Sequence, residues 1–398
     1  TLRAGGIAVF AEIMNSILQC ICIRPFTNVS AFSELRTRAQ ILSYEFDRFT
    51  RDARHRSLCR DRHFQRALQA RRDDLIELQG PAASALPPLI SKLRAAGGTG
   101  DIDLFMTRDH TPFARKRDRA VAELLTPLGV QLHAKRGLVV VEPEELLTGG
   151  GTPYGVYTPY FRRWLEQVDA SAPLPSPKKL PPLPTPTPAS TVDQALLDAH
   201  AVPTAQIDQL PVPGERAARK HADTWRKSIN KYADRRNTLA DNAGTSRLSA
   251  ALHIGLLSAR ELVARQLPLP PVQEGERSGE RLWVSQIAWR DFYTQVLWHA
   301  PHAARSAWRP SYDAIKWSSD QRALEAWKSG KTGYPIVDAG MRQLAATGFM
   351  HNRARMITAS FLTKDLLVDW RKGEAHFLQH GIYSLTHRWL QQADGSGK

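Results

Sequence analysis

The sequence predicts two parts, a parallel α/β layer followed by an all-helical half. Three observations carry this. Between about residues 85 and 141, short apolar strands alternate with segments of helical period. A proline-rich stretch follows, with eight prolines among the eighteen residues 171–188. Beyond about Ala201 the strand signal fades and apolar residues keep the 3.6-residue spacing of helices.

Taken in order, Ile7–Phe10 reads as a short strand, and the Arg-, Ser- and Phe-rich residues that follow, up to 75, hold no lasting period. Leu86, Leu89, Ile90 and Leu93 are helically spaced, with Gly97–Gly98 as a stop. Ile102, Leu104 and Met106 alternate as a strand does, Arg115–Leu125 is an amphipathic helix, and Val130–Leu132 and Leu138–Val141 read as strands. Residues 171–188 have few backbone donors and favour extended polyproline geometry, as an interdomain linker does. The PxxP pattern there also fits an SH3 ligand, but that motif is short and common. Ser258–Glu261 is a capping box that opens a helix. Trp283–Trp298 carries apolar residues at helical spacing. Pro335 opens a helix that Gly348 ends, and another runs from about His351 to Leu366.

Lys and Arg exceed Asp and Glu by 54 − 39 = 15. This excess suits a polyanionic partner, because each neutralised phosphate releases counterions. An Arg-favouring genome gives the same excess with no such partner. No run of 18 apolar residues is present, which excludes a membrane-spanning helix, and no secretion signal is read at the start. Cys20, Cys22 and Cys59 form neither a disulfide framework nor a zinc spacing, so no metal is expected and a reducing cytoplasm fits best.

Nine of the ten tryptophans lie beyond residue 220. Core packing is the usual use of Trp, but flat rings in a basic domain also stack on bases or on a flat cofactor. Gly244-Thr245-Ser246-Arg247-Leu248-Ser249 is a hydroxyl-rich turn before a helical stretch. Its N–H groups, hydroxyls and guanidinium suit a phosphate, although a plain helix cap reads the same way. Asn352, Arg355 and Met356 share one helix face at i, i+3 and i+4, and Met350–Arg353 sit at the helix start, where side chains reach a ligand. A solvated face has the same spacing.

Together these pieces resemble the DNA photolyase and cryptochrome family. GTSRLS at 244–249, WRDFY at 289–293, KTGYPIVDAGMRQL at 331–344 and TGFMHNRARMITASFLTKDLLVDW at 347–370 form a nearly continuous match from about Tyr232 to Glu374. A weaker match covers about Leu104–Glu166. The resemblance implies a Rossmann-like α/β antenna domain over residues 1–135, a connector over 136–200 and a helical FAD- and DNA-binding domain over 201–398. It implies light-driven repair of cyclobutane pyrimidine dimers in UV-damaged DNA by electron transfer from reduced FAD, with the lesion flipped out of the duplex. A folate or deazaflavin antenna and a monomeric state are also implied. Carried over by position, Tyr232, Thr245, Ser246, Arg247, Leu248, Ser249, Trp283, Arg290 and Arg355 contact FAD, and Asn352 faces flavin N5. Trp289 stacks on the lesion, while Arg236, Gln286, Arg290, Tyr293, Asn352, Arg353 and Met356 face DNA. Trp317 and Trp370 match outer and middle members of an electron-transfer chain, or are core residues.

The chain also departs from the family's pattern. The opening aromatic-Arg-x-Asp-Leu-Arg segment is absent, so the first strand of the layer is expected to be missing, and residues 12–75 match nothing recognisable. After Phe377 the Asp-x-Asp pair and Trp-x-Trp are absent, which removes the expected carboxylate partner of Arg355 and leaves Trp389 as the one indole there. Shifted reading frames or a truncated sequence would explain both ends. Gln286 stands where dimer-repairing members carry Glu. Gln is more typical of the (6-4) photoproduct branch, but that branch has a His-rich segment where this chain has HNRARM, so cyclobutane dimers are favoured with weakened binding. Three functions remain: a photolyase, a cryptochrome-like flavin photoreceptor without repair, and an inactive DNA-binding remnant.

Overall fold

The computed structural model describes residues 81–95, 102–169, 171, 212, 214–253, 255–270 and 278–380, and residues 6–13, 19–26, 43–44 and 78–79 as backbone strands. The proline-rich segment beyond residue 171, the Gly97–Gly98 stop, Cys59, the side chains of Cys20 and Cys22, and residues 381–398 with Trp389 lie outside the described residues.

Six strands form one sheet: β1 (Gly6–Ile13), β2 (Gln19–Phe26), β3 (Ser43–Tyr44), β4 (Leu78–Gln79), β5 (Ile102–Thr107) and β6 (Val130–Lys135). Their order is β4-β3-β2-β1-β5-β6. β1, β5 and β6 are parallel, with Ile7 opposite Ile102 and Ile102 opposite Val130. β1 and β2 are antiparallel, with Gly6 opposite Phe26. The layer is therefore mixed rather than wholly parallel. A short connection between β1 and β2 permits a hairpin, whereas a parallel partner needs a crossover of roughly a dozen residues. Two helices supply such crossovers. α1 (Ala82–Ala95) buries Leu86, Leu89, Ile90 and Leu93, the predicted stripe. α2 (Pro112–Leu125) starts where the Thr111 hydroxyl accepts from the Ala114 N–H at 3.2 Å. β5 buries Ile102, Leu104 and Met106 on one face and Phe105 on the other, where Asp103 and Thr107 are half-buried.

Leu138–Val141 does not form the strand its apolar run predicts. The Val140 and Val141 N–H groups instead donate to Asp291 Oδ2 at 2.8 and 3.3 Å, so a distant carboxylate replaces a strand neighbour. The chain then enters α3 (Tyr157–Gln167).

From residue 214 onwards every described element is helical. These include α4 (Glu215–Arg226), α5 (Ala259–Ala264), α6 (Gly279–His299), α7 (Gln321–Lys328), α8 (Pro335–Thr347), α9 (Asn352–Ser360) and α10 (Trp370–His380). Ser258 caps α5 by accepting from the Glu261 N–H, as the capping box predicts. Gly348, at φ +66°, closes α8. The last predicted helix splits, because Phe361–Asp365 widens into a π turn after α9. Two cores result. One gathers α3, α4, α5 and α6 with Val140 and Val141. The other gathers α7 to α10 around Trp327 and Phe377. α6 is central and apolar around most of its circumference, as a buried helix must be. It begins against residues 229–230, and a Cβ at Gly279 would lie 2.2 Å from the Ile229 carbonyl oxygen.

Candidate functional site

A cavity open to solvent brings together residues from four stretches of the helical half. Tyr232 and Arg236 come from one short helix and its end. Thr245, Ser246, Arg247, Leu248 and Ser249 come from the hydroxyl-rich turn. Trp283, Gln286, Trp289, Arg290 and Tyr293 come from α6, and Asn352, Arg353 and Arg355 from α9. Helical spacing explains the α6 set, since steps of three and four keep side chains on one face. Every predicted flavin contact lines this one hollow. Among the predicted DNA contacts, Met356 is absent from the lining.

The turn is held in shape by its own chemistry. Arg235 grips Asp241 with two bonds of 2.6 and 2.7 Å, and that pairing holds the carboxyl below its ordinary range. Asp241 also accepts from the Ala243 N–H at 3.0 Å. A Cβ at Gly244 would sit 2.7 Å from the Arg235 carbonyl oxygen, so this close approach needs glycine. Arg247 adopts a left-handed φ of +51° and lays its guanidinium 4.3 Å over the Phe349 ring. His221 holds the Ser246 carbonyl at 2.8 Å.

On α6, Trp283 is buried and Trp289 half-buried. The Gln286 amide nitrogen turns back onto its own helix, donating to the Ser285 hydroxyl (3.1 Å) and the Leu282 carbonyl (3.3 Å). Arg290 donates to the Leu138 carbonyl at 2.5 Å and lies 3.6 Å from Asp291. Asp291 is sealed behind them and also accepts from the Trp164 indole N–H at 3.0 Å. Burial pushes its carboxyl up to about 6, against the opposing pull of Arg290 and the three N–H donors.

His351 starts α9. Its Nδ1 accepts from the Arg353 N–H at 3.1 Å, which requires a neutral ring at that nitrogen. Burial, with Arg355 and Arg353 nearby, lowers its pKa and keeps the ring in that form. Arg353 Nε donates to Asn237 at 2.8 Å and ties α9 to the turn region. Arg355 is buried and donates to the Met350 carbonyl at 2.8 Å.

Trp317 and Trp370 lie apart from the cavity lining. Trp370 is in the second core and Trp317 packs against it. Sequence reading missed the cavity's other wall, formed by Asp109, His110, Thr111 and Leu138. His110 is buried and bonds Glu142 at 2.8 Å. Beside them the Arg108 and Arg115 guanidiniums lie 4.6 and 4.0 Å from the Trp298 ring, joining the α/β layer to α6. The helix read over Arg115–Leu125 starts at Pro112, and nothing local tied the residues before it to a site in the helical half.

The donor set fits a flat, anionic dinucleotide. Hydroxyls of Thr245, Ser246 and Ser249 and the guanidinium of Arg247 suit a pyrophosphate, on a turn whose Gly244 lies tight against the Arg235 carbonyl. Trp283 and Arg355 supply a flat wall and a buried cation.

Comparison with known proteins agrees with this geometry. The family described as DNA photolyase matches residues 33–182, and the FAD binding domain of DNA photolyase matches residues 283–387. A bacterial class III photolyase from Agrobacterium tumefaciens is 31% identical, superposes with a TM-score of 0.77, and is covered over 72% of its chain by 89% of this one. This chain belongs to the DNA photolyase and cryptochrome family. Deoxyribodipyrimidine photo-lyases from Synechococcus sp. and Streptomyces griseus are 34% and 39% identical over 77% and 78% of the chain. The chain spans 63% and 64% of those two relatives. A Synechocystis cryptochrome shares the fold, with a TM-score of 0.73 at 23% identity, 87% coverage of this chain and 72% of that one. The family match beginning at residue 33 corrects, for residues 33–75, the reading that residues 12–75 match nothing in the family.

Proposed function

We propose that the chain is a deoxyribodipyrimidine photo-lyase that binds FAD in the cavity and repairs cyclobutane pyrimidine dimers in UV-damaged DNA. The observation that carries this is the convergence of Thr245, Asn352 and Trp289 on one hollow. When bound, reduced FAD supplies on illumination the electron that splits the dimer.

The protein's own residues bind, orient and shield. Thr245, Ser246, Arg247 and Ser249 hold the pyrophosphate and ribitol, Trp283 and Arg355 flank the ring system, and Asn352 presents an amide to a ring nitrogen. Trp289 offers its indole to the extruded pyrimidines, with a stacking gain of about 1–3 kcal/mol per base. With its amide nitrogen held by α6, Gln286 has its carbonyl oxygen left to accept from a pyrimidine N–H. Arg236 and Arg353 neutralise DNA phosphates at the mouth. Trp317 and Trp370 in the second core are assigned to the path that returns the flavin to its reduced form.

The test is repair of a thymine-dimer oligonucleotide by the purified, FAD-loaded chain. Repair in blue light and none in darkness is expected. A yellow protein that repairs nothing in either condition would instead be a flavin photoreceptor.

A further inference from the structure

We infer that Tyr157, on the connector helix α3, is a positioning residue for dimer recognition that fixes the plane of the Trp289 indole from behind. The inference rests on the proposed role of Trp289 as the stacking surface.

The Tyr157 and Trp289 ring centroids are 3.5 Å apart and their planes differ by 7°. Trp289 lines the cavity together with Tyr293, which stacks on it at 5.5 Å, whereas Tyr157 is not part of the lining and backs the indole from outside it. The Tyr157 hydroxyl donates to the Ser285 carbonyl at 2.7 Å. In an α-helix that carbonyl also receives the N–H four residues on, which belongs to Trp289. One side chain therefore holds both the ring of Trp289 and the turn that carries it. Burial raises the pKa of the phenol, which keeps its proton available for this bond.

Tyr157 is itself held. Phe161, one turn along α3, stacks on it at 5.7 Å with planes 10° apart, and Phe292 meets it edge-on at 5.7 Å. Farther along α3, the Trp164 indole N–H donates to Asp291 at 3.0 Å. The connector helix thus grips α6 at residues 285, 289 and 291. An indole already locked in its binding orientation surrenders less side-chain entropy when a base stacks on it. Tyr157 therefore contributes to the preference for damaged DNA and not to flavin retention.

The experiment measures binding in darkness to a thymine-dimer duplex and to the same duplex undamaged, using the full FAD-loaded chain, with the flavin absorption spectrum and thermal midpoint alongside. Tyr157→Leu removes the flat ring. It is expected to weaken dimer binding on the order of tenfold, the scale of one stacking contact, while undamaged-DNA affinity and the flavin spectrum stay as in the parent. Tyr157→Met fills the volume without a flat face and serves as the second variant if Tyr157→Leu fails to fold. Tyr157→Phe keeps the ring and is expected to retain most of the preference. Parent-like dimer preference in a folded Leu or Met variant would overturn the inference. A parent chain with no dimer preference would overturn the reading of Trp289 itself, and the two failures are thereby separated.

Discussion

Trp289 and Trp327 lie in the same helical half, yet their surroundings differ. Trp327 is fully buried, donates its indole N–H to the Thr358 carbonyl at 2.9 Å, and meets His376 and Phe377 edge-on. Trp289 is half-buried, backed by Tyr157, and borders a cavity. The sequence spends the same costly residue twice, once to close a core and once to leave a flat face available. What separates the two is how far neighbours close around the ring.

Trp327→Ala should lower unfolding free energy by about 3–5 kcal/mol, as large core truncations do. Trp289→Ala should cost distinctly less in a denaturant titration. Equal losses would erase the contrast.

The pH dependence sharpens it next. Burial raises the Asp291 carboxyl from its ordinary value to about 6, so the folded chain holds a proton that the unfolded chain gives up. That contribution is full below the unfolded pKa and is lost as pH rises through about 6. The shift of roughly two units corresponds to about 3 kcal/mol. Asp291→Asn should flatten this part of the profile, measured as stability between about pH 4 and 7. A slope unchanged by the substitution would remove Asp291 as its source.

Binding effects are smaller. Trp289→Ala should weaken damaged-DNA binding by about 1–3 kcal/mol while sparing undamaged DNA, whereas a folded Trp327 variant should change neither selectively. A dark binding assay on both duplexes reads this. Arg353→Gln should weaken both duplexes alike and reduce the salt slope of binding by about one unit. Selective loss on damaged DNA would move Arg353 from the phosphates to the lesion.

Legibility in the sequence followed the range of the interaction. Ser258 with Glu261, and Pro335 with Gly348, announced helix ends because a cap needs only its own next turn. The cavity residues were named because long ordered motifs resembled a family, and spacing on α6 explains why five of them share a face. Leu138–Val141 was misread because its amides are satisfied by Asp291, 150 residues away, which no local pattern encodes. Asp109 and His110 were passed over for the same reason. The hairpin of β1 and β2 escaped because the residues there lack the clean alternation of β5. Tyr157 was hidden in plain view, since its partner is chosen by how α3 docks on α6.

Four distant stretches of the helical half, with Asp109–Thr111 and Leu138 opposite them, line the proposed flavin cavity. The most direct measurement is the visible absorption of the purified chain after incubation with FAD and removal of free cofactor, beside Gly244→Ala. Retained yellow colour at about one flavin per chain, lost in the variant whose new Cβ collides with the Arg235 carbonyl, is the predicted result. A colourless parent, or a variant that keeps its flavin as tightly as the parent, would mean that these stretches do not form the flavin site.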